Sequence, residues 1–178
     1  MKKISILLVI MLLPTLNMFA QNDIISTLFS QYAEDENFTK VTVSSKMFQL
    51  FTNIEPGDKD EEEILDAISK LKGLKVLASD SVANPRQLFD NVVKKITSEK
   101  YEELMEVKDA DEDMKFMIKE TKGVISELIM VIGGNRRFVL ISLYGEIDLK
   151  NISKLSKSLN IKGMEYLQHV NDSTANHS

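Results

Sequence analysis

The chain has 178 residues, 43% of them apolar and 28% charged, which is the balance of a globular domain and not of a disordered or fibrous one. It holds no Cys, two His and no Trp, so thiol catalysis, Cys-ligated zinc, disulfide staples and most His-based metal sites are excluded. Its seven Gly are too few for the usual glycine-rich nucleotide cradle.

The first segment reads as an export signal. Lys2 and Lys3 give a positive start, Ile4 to Leu13 is apolar except for Ser5, Pro14 breaks the run, and Thr15 to Ala20 ends on a small residue. That order of charged, apolar and cleavage regions is that of a secretory signal peptide. Counted to Leu16 the apolar run is 13 residues long, short of the roughly 18 needed to span a bilayer. Cleavage is expected after Ala20, with Met18 larger than the ideal residue at the third position before the bond. The bland alternative is an N-terminal core helix. Without a Cys at the cleavage point the chain is no lipoprotein, so a periplasmic or secreted product with no transmembrane anchor is expected. Loss of residues 1–20 removes two Lys and no acid, so 22 basic residues fall to 20 against 27 acidic ones, a net charge of −7. That charge argues against nucleic acid or an anionic membrane surface as partner.

Asp23 is placed to cap a short helix whose Ile24, Ile25, Leu28, Phe29 and Tyr32 follow the 3.6-residue period. Lys40 to Ser45 alternates with β-branched residues and predicts a strand, and Lys46 to Thr52 predicts a short helix. Pro56-Gly57 marks a turn. Asp58 to Leu71 predicts a helix with acids in its first turn, a stripe of Ile64, Leu65, Ile68 and Leu71, and Gly73 past its end. Leu74 to Ala78 predicts a short strand. Asn84 and Pro85 open the next helix as cap and first residue, with Leu88, Phe89, Val92, Val93 and Ile96 as its buried stripe. Tyr101 to Lys108 and Met114 to Glu120 read as strands around an acidic turn. Val124 to Ile132 and Arg136 to Tyr144 are apolar on nearly every residue, as strands buried on both faces are, and Gly133-Gly134-Asn135 joins them as a hairpin. Asp148 is placed to cap a last helix through Leu149, Ile152, Leu155 and Leu159. The tail 171–178 has no apolar anchor and is expected to fray. Residues 21–170 are thus expected to form one α+β domain, with helices packed on a mainly antiparallel sheet that ends in a strand meander.

The signal, this element order, and above all ISELIMVIGG from Ile125 and FVLISLYGEIDL from Phe138 to Leu149 resemble the bacterial domain-of-unknown-function family DUF4252. The likeness covers most of the mature chain, and its most specific part is the strand, turn, strand and Gly-x-Ile-Asp-Leu segment. The resemblance implies a small exported protein of Gram-negative bacteria, and it supplies no catalytic residue.

Several residue sets have the types that chemistry would need. Asp109, Asp111, Asp113 and Glu120 occupy positions 1, 3, 5 and 12 of a calcium-loop pattern. The turn glycine at position 6 is replaced by Met114 and the flanks alternate like strands, so a solvated acidic β-turn is the expected role. Asp60 to Glu63 fall in a first helical turn, where acids serve the helix dipole. Glu102, Glu103 and Glu106 could pair for acid–base work, but adjacent strand residues face opposite ways, so Glu102 and Glu103 cannot share a site. Arg136 and Arg137 beside the Gly-Gly turn could grip an anion, though hairpin-end charges are usually solvated. His169 and His177 have no second ligand at metal spacing. Met105, Met114, Met117 and Met130 read as core filling. No Gly-x-Ser-x-Gly elbow is present. No residue is therefore assigned a catalytic, cofactor-binding or metal role, and no cofactor is expected. The reading is an exported, non-catalytic domain that binds an envelope protein or small ligand, with the edge around Tyr101 to Lys108 as the expected surface. The alternative is a small hydrolase whose carboxylates meet only in the fold.

Overall fold

A computed structural model describes residues 23–152. The export signal (1–20), Leu155 and Leu159 of the expected last helix, the tail (171–178), and His169 and His177 lie outside the described residues. Helix α1, Ile24–Gln31, starts where Asp23 accepts a hydrogen bond from the Ile25 N–H. Strand β1, Thr39–Ser44, runs straight into helix α2, Ser45–Phe51. Helix α3, Lys59–Ser69, is capped by Asp58, which accepts from the Glu61 N–H at 2.9 Å. Strand β2 is Leu71–Ser79, helix α4 Pro85–Thr97, and strand β3 Glu102–Lys108. Strands β4, Glu112–Thr121, β5, Val124–Gly134, and β6, Phe138–Ile147, complete the meander. A further helix opens at Leu149, with Asp148 accepting from the Lys150 and Asn151 N–H groups.

The six strands form one antiparallel sheet in the order β1-β2-β6-β5-β4-β3. The two strands read as buried on both faces, β5 and β6, are the central pair, with Ile132 opposite Val139 and Val131 opposite Leu140. Several boundaries shift by a few residues, and two of the shifts change a glycine's role. The third helix ends at Ser69, because Leu71 is drawn into β2 and the second apolar layer, and Gly73 sits inside β2 as no cap at all. Gly133 and Gly134 belong to β5, and the hairpin closes over Asn135 to Arg137.

One sheet face is covered by α1 and α4. Ile25, Leu28, Phe89, Val92 and Ile96 pack there on Leu77, Met117, Ile129, Val131, Phe138 and Leu140. The opposite face is apolar from edge to edge: the row Val41, Val76, Ile141, Met130, Phe116, Met105 runs through all six strands. Phe48 of α2, Leu149 and Ile152 join that second layer from outside the sheet. Burying a large apolar side chain fully contributes about 1.5–3 kcal/mol, so two such layers hold this domain without staples. Together the elements make a single α+β domain. Among the described residues, no helix is long and apolar enough to cross a membrane.

Candidate functional site

The carboxylates of the calcium-loop pattern are not brought together. Asp109 shapes the β3–β4 turn, its Oδ1 accepting from the N–H groups of Asp111 at 2.8 Å and Glu112 at 2.7 Å. Asp113 is buried on β4 facing α4, where Arg86 Nη1 donates to it at 3.2 Å. Glu120 lies seven residues farther along an extended strand, roughly 20 Å away at about 3.3 Å per residue. Arg137 is clamped to Glu112, its Nε and Nη2 donating to the two carboxylate oxygens at 2.6 and 2.9 Å. That bidentate bond raises the guanidinium's pKa further. Arg136 remains exposed and lines, with Asp109, Asp111 and Asn135, an open cleft of about 480 Å³ between the two turns.

The carboxylates of β3 are arranged differently from strict alternation. A bulge between Glu103 and Met105 turns Glu103 and Glu106 onto the same face. Lys115 Nζ reaches both, at 2.8 and 3.0 Å, and Lys108 adds a bond to Glu106 at 3.1 Å. Donation from Lys115 first and Lys108 second holds the Glu106 carboxyl below its usual range. Burial would lower the Lys115 ammonium, but its bonds to Glu103 and Glu106 outweigh that and raise it. The β3 edge is thus lined with satisfied ion pairs.

One polar group was not singled out in the sequence. Glu127 continues the alternation of Ile129 and Val131 and so faces α1 and α4, in a cross-strand row with Gly73, Tyr144 and Lys119, while the bulge at Ser126 turns Ile125 to the opposite layer. Tyr101 Oη and Ser142 Oγ each donate to Glu127 at 2.6 Å, one to each oxygen. Burial first, and the bond to Glu127 second, push the Tyr101 hydroxyl well above the ordinary tyrosine range. Lys119 Nζ lies 5.3 Å from the Tyr101 ring centroid. Next to this row, Lys75 donates to Ser26 at 2.7 Å and lies 5.9 Å from the Tyr144 ring centroid. Gly73 makes room for Tyr144, since a Cβ there would meet the phenol carbon at 2.2 Å. Ser142 is fully buried, so its hydroxyl positions Glu127 and has no path to a substrate. The polar break Ser126-Glu127 in an otherwise apolar strand was the available signal.

The remaining feature is the other edge. Among the described residues, β1 pairs with β2 alone. Val41 is 43% exposed, Met47 48%, Leu50 55% and Ile54 56%. These four lie within residues 41–54, and among the described residues Val124 is the one other exposed large apolar residue. The one charged side chain of β1 is drawn away: Lys40 Nζ donates to the carbonyls of Tyr32, Ala33 and Asp35 at 3.0, 2.6 and 3.2 Å. One edge of the sheet thus carries paired acids and lysines, and the other, β1, is followed by a run of exposed apolar residues.

The family model for the domain of unknown function DUF4252 matches residues 32–155. The chain belongs to the DUF4252 family. The DUF4252 match takes in every strand of the sheet, both edges, and Tyr101, Glu127 and Ser142, while α1 with Asp23 and Ser26 precedes it. No curated protein and no solved structure matches the chain.

Proposed function

We propose that this DUF4252 domain acts by binding, as an exported module of the bacterial cell envelope, and that its docking surface is the β1–α2 edge. The contrast between the two sheet edges carries the reading. An edge strand is a template for further pairing, and chains that stay single guard it with charge, bulges or cover. The β3 edge has charge and a bulge. The β1 edge has no bulge, its one lysine is bonded to backbone carbonyls, and exposed apolar residues of α2 follow it directly in the chain. The edge around Tyr101 to Lys108 is the less favoured surface in this reading, because its charged side chains are already paired with one another. Export rests on the Lys2-Lys3, apolar run and Ala20 order.

The test uses the full chain expressed and processed in its bacterial host. A photo-crosslinking residue at Leu50 should trap a covalent adduct, and the same residue at Ser98, on the end of α4, should trap none. A panel of esterase, glycosidase, phosphatase and peptidase substrates should show no turnover by the purified protein. Turnover abolished by one Asp or Glu substitution, with no adduct at Leu50, would replace this reading with the carboxylate-dependent hydrolase.

A further inference from the structure

We infer that the mature chain carries a modified N-terminus: Gln21, set at the chain end by removal of residues 1–20, closes on itself to a five-membered lactam, pyroglutamate, with loss of ammonia. The inference rests on the export reading above, because only cleavage makes Gln21 a chain end. It is independent of which sheet edge docks a partner.

The step needs the end residue alone. The free α-amine attacks the side-chain amide carbon Cδ, a C–N bond forms, and the bond from Cδ to the amide nitrogen breaks. That nitrogen leaves as ammonia with a proton taken from the amine, so no oxidant, reductant or second substrate enters. Amine and amide belong to one side chain, so the reaction is unimolecular and free of the entropy cost of an encounter. An α-amine has a pKa of about 7.7–8.0, so roughly a tenth of it is the nucleophilic free base at pH 7. The neighbouring cleavage products cannot follow this route. An end at Ala20 has no side-chain amide, and an end at Asn22 would have to close a four-membered ring.

The fold supplies the setting. Asp23 is exposed and fixed as the cap of α1. Its carboxylate accepts from the Ile25 N–H at 3.1 Å and from Ser26 Oγ at 2.7 Å, and Lys75 Nζ lies 3.8 Å from it. Two chain steps cannot carry the Gln21 Cα farther than about 7 Å from that of Asp23. An α-ammonium within that reach would meet the partial positive charge at the start of α1 and the Lys75 ammonium, while the Asp23 carboxylate is already shared among three donors. Closure replaces the ammonium by a neutral lactam and removes that opposition. It also leaves no α-amine for an aminopeptidase to grip, so the exported chain is closed to trimming toward α1.

The test uses the full chain expressed and processed in its bacterial host. Protein from the envelope fraction is denatured at once in cold acid, which keeps the amine protonated and stops further closure, and the intact chain is fragmented in the mass spectrometer. The main form should begin at residue 21 and be lighter there by one ammonia, and a Gln21→Asn variant should keep its full linear mass. A chain that begins at Gln21 but is mainly linear overturns the inference and leaves export standing. An ammonia loss that persists in Gln21→Asn lies elsewhere in the chain and overturns it as well. A chain that begins at another mature residue overturns it together with cleavage after Ala20. A chain that still carries residues 1–20 overturns the export reading with it.

Discussion

Gly133 of β5 lies beneath Phe89 of α4 so closely that a Cβ on Gly133 would come within 2.2 Å of the Phe89 Cβ. The Pro85 carbonyl stands 3.1 Å from the same point. Both neighbours are fixed, one by the first turn of α4 and the other by the root of a buried side chain, so the helix itself would have to lift. Gly133→Ala is therefore expected to destabilise the domain by about 1–3 kcal/mol, the usual cost of overpacking. Urea unfolding of the two proteins checks this, and an unchanged midpoint would mean that α4 sits less tightly than described.

The bonds from Tyr101 and Ser142 to Glu127 predict a pH dependence. The Tyr101 hydroxyl titrates higher in the folded chain than in the unfolded one, where tyrosine ionises near about pH 10. A raised folded pKa gives a contribution that is complete below the unfolded value and is lost as pH rises beyond it. Tyr101→Phe should cost about 1.5–3 kcal/mol at pH 7, the range for a hydrogen bond to a charged group. The gap between wild type and variant should then narrow above about pH 10. Unfolding curves from pH 7 to pH 11 test it, and a gap that stays constant would separate Tyr101 from the alkaline loss.

Much of this architecture is legible in the sequence, and the reasons for the rest are local. The caps Asp23, Asp58 and Asp148, and Pro85 at a helix start, announce their helices because each satisfies or dispenses with an orphan N–H group. The doubly apolar β5 and β6 announce the sheet centre. What alternation cannot show is where it breaks. The bulge at Ser126 moves Ile125 to the layer opposite Ile129, and the bulge before Met105 brings Glu103 and Glu106 to one lysine. Both depend on partner strands far along the chain, so no window of sequence contains them. The apolar β1 edge was hidden for another reason. Val41, Met47 and Leu50 look like core residues by type, and only the place of β1 at the sheet edge and the packing of α2 leave them exposed.

The Glu112–Arg137 pair joins the two turns at one end of the sheet. Both side chains are partly exposed, at 29% and 40%, so water and salt screen the pair despite its two-point geometry. A double-mutant cycle with Glu112→Gln and Arg137→Met should give a coupling of about 0.5–1 kcal/mol in low salt and less in 1 M salt. A coupling near zero at both salt concentrations would leave the backbone bond from Asn135 N–H to the Asp111 carbonyl, 3.0 Å, as the link between the turns.

Calcium is expected to leave the melting temperature unchanged. Asp113 is held by Arg86, Asp109 is spent on the turn amides, and Glu120 is strands' length away. A ligand at 100 times its Kd adds about 2.7 kcal/mol, a rise of several degrees for a domain of this size. Thermal melts with and without millimolar calcium are sufficient. A rise that disappears in an Asp109→Ala, Asp111→Ala variant would show a site that this turn geometry does not reveal.

The last prediction concerns processing. The proposed export signal, Lys2 and Lys3 with the apolar run and Ala20, would be removed by a leader peptidase, and the small side chain of Ala20 suits the residue before the bond. Cutting there leaves Gln21 and Asn22 ahead of Asp23. Asp23 is already committed to the folded domain: it caps α1 through the Ile25 N–H, accepts from Ser26 Oγ at 2.7 Å, and lies 3.8 Å from Lys75. A cut two residues farther on would set a charged amino group on Asp23 itself, at a helix start whose partial positive charge disfavours it. Intact-mass measurement on protein from the envelope fraction should therefore give residues 21–178. A mass that still includes residues 1–20 would refute processing, and with it the assignment to the cell envelope.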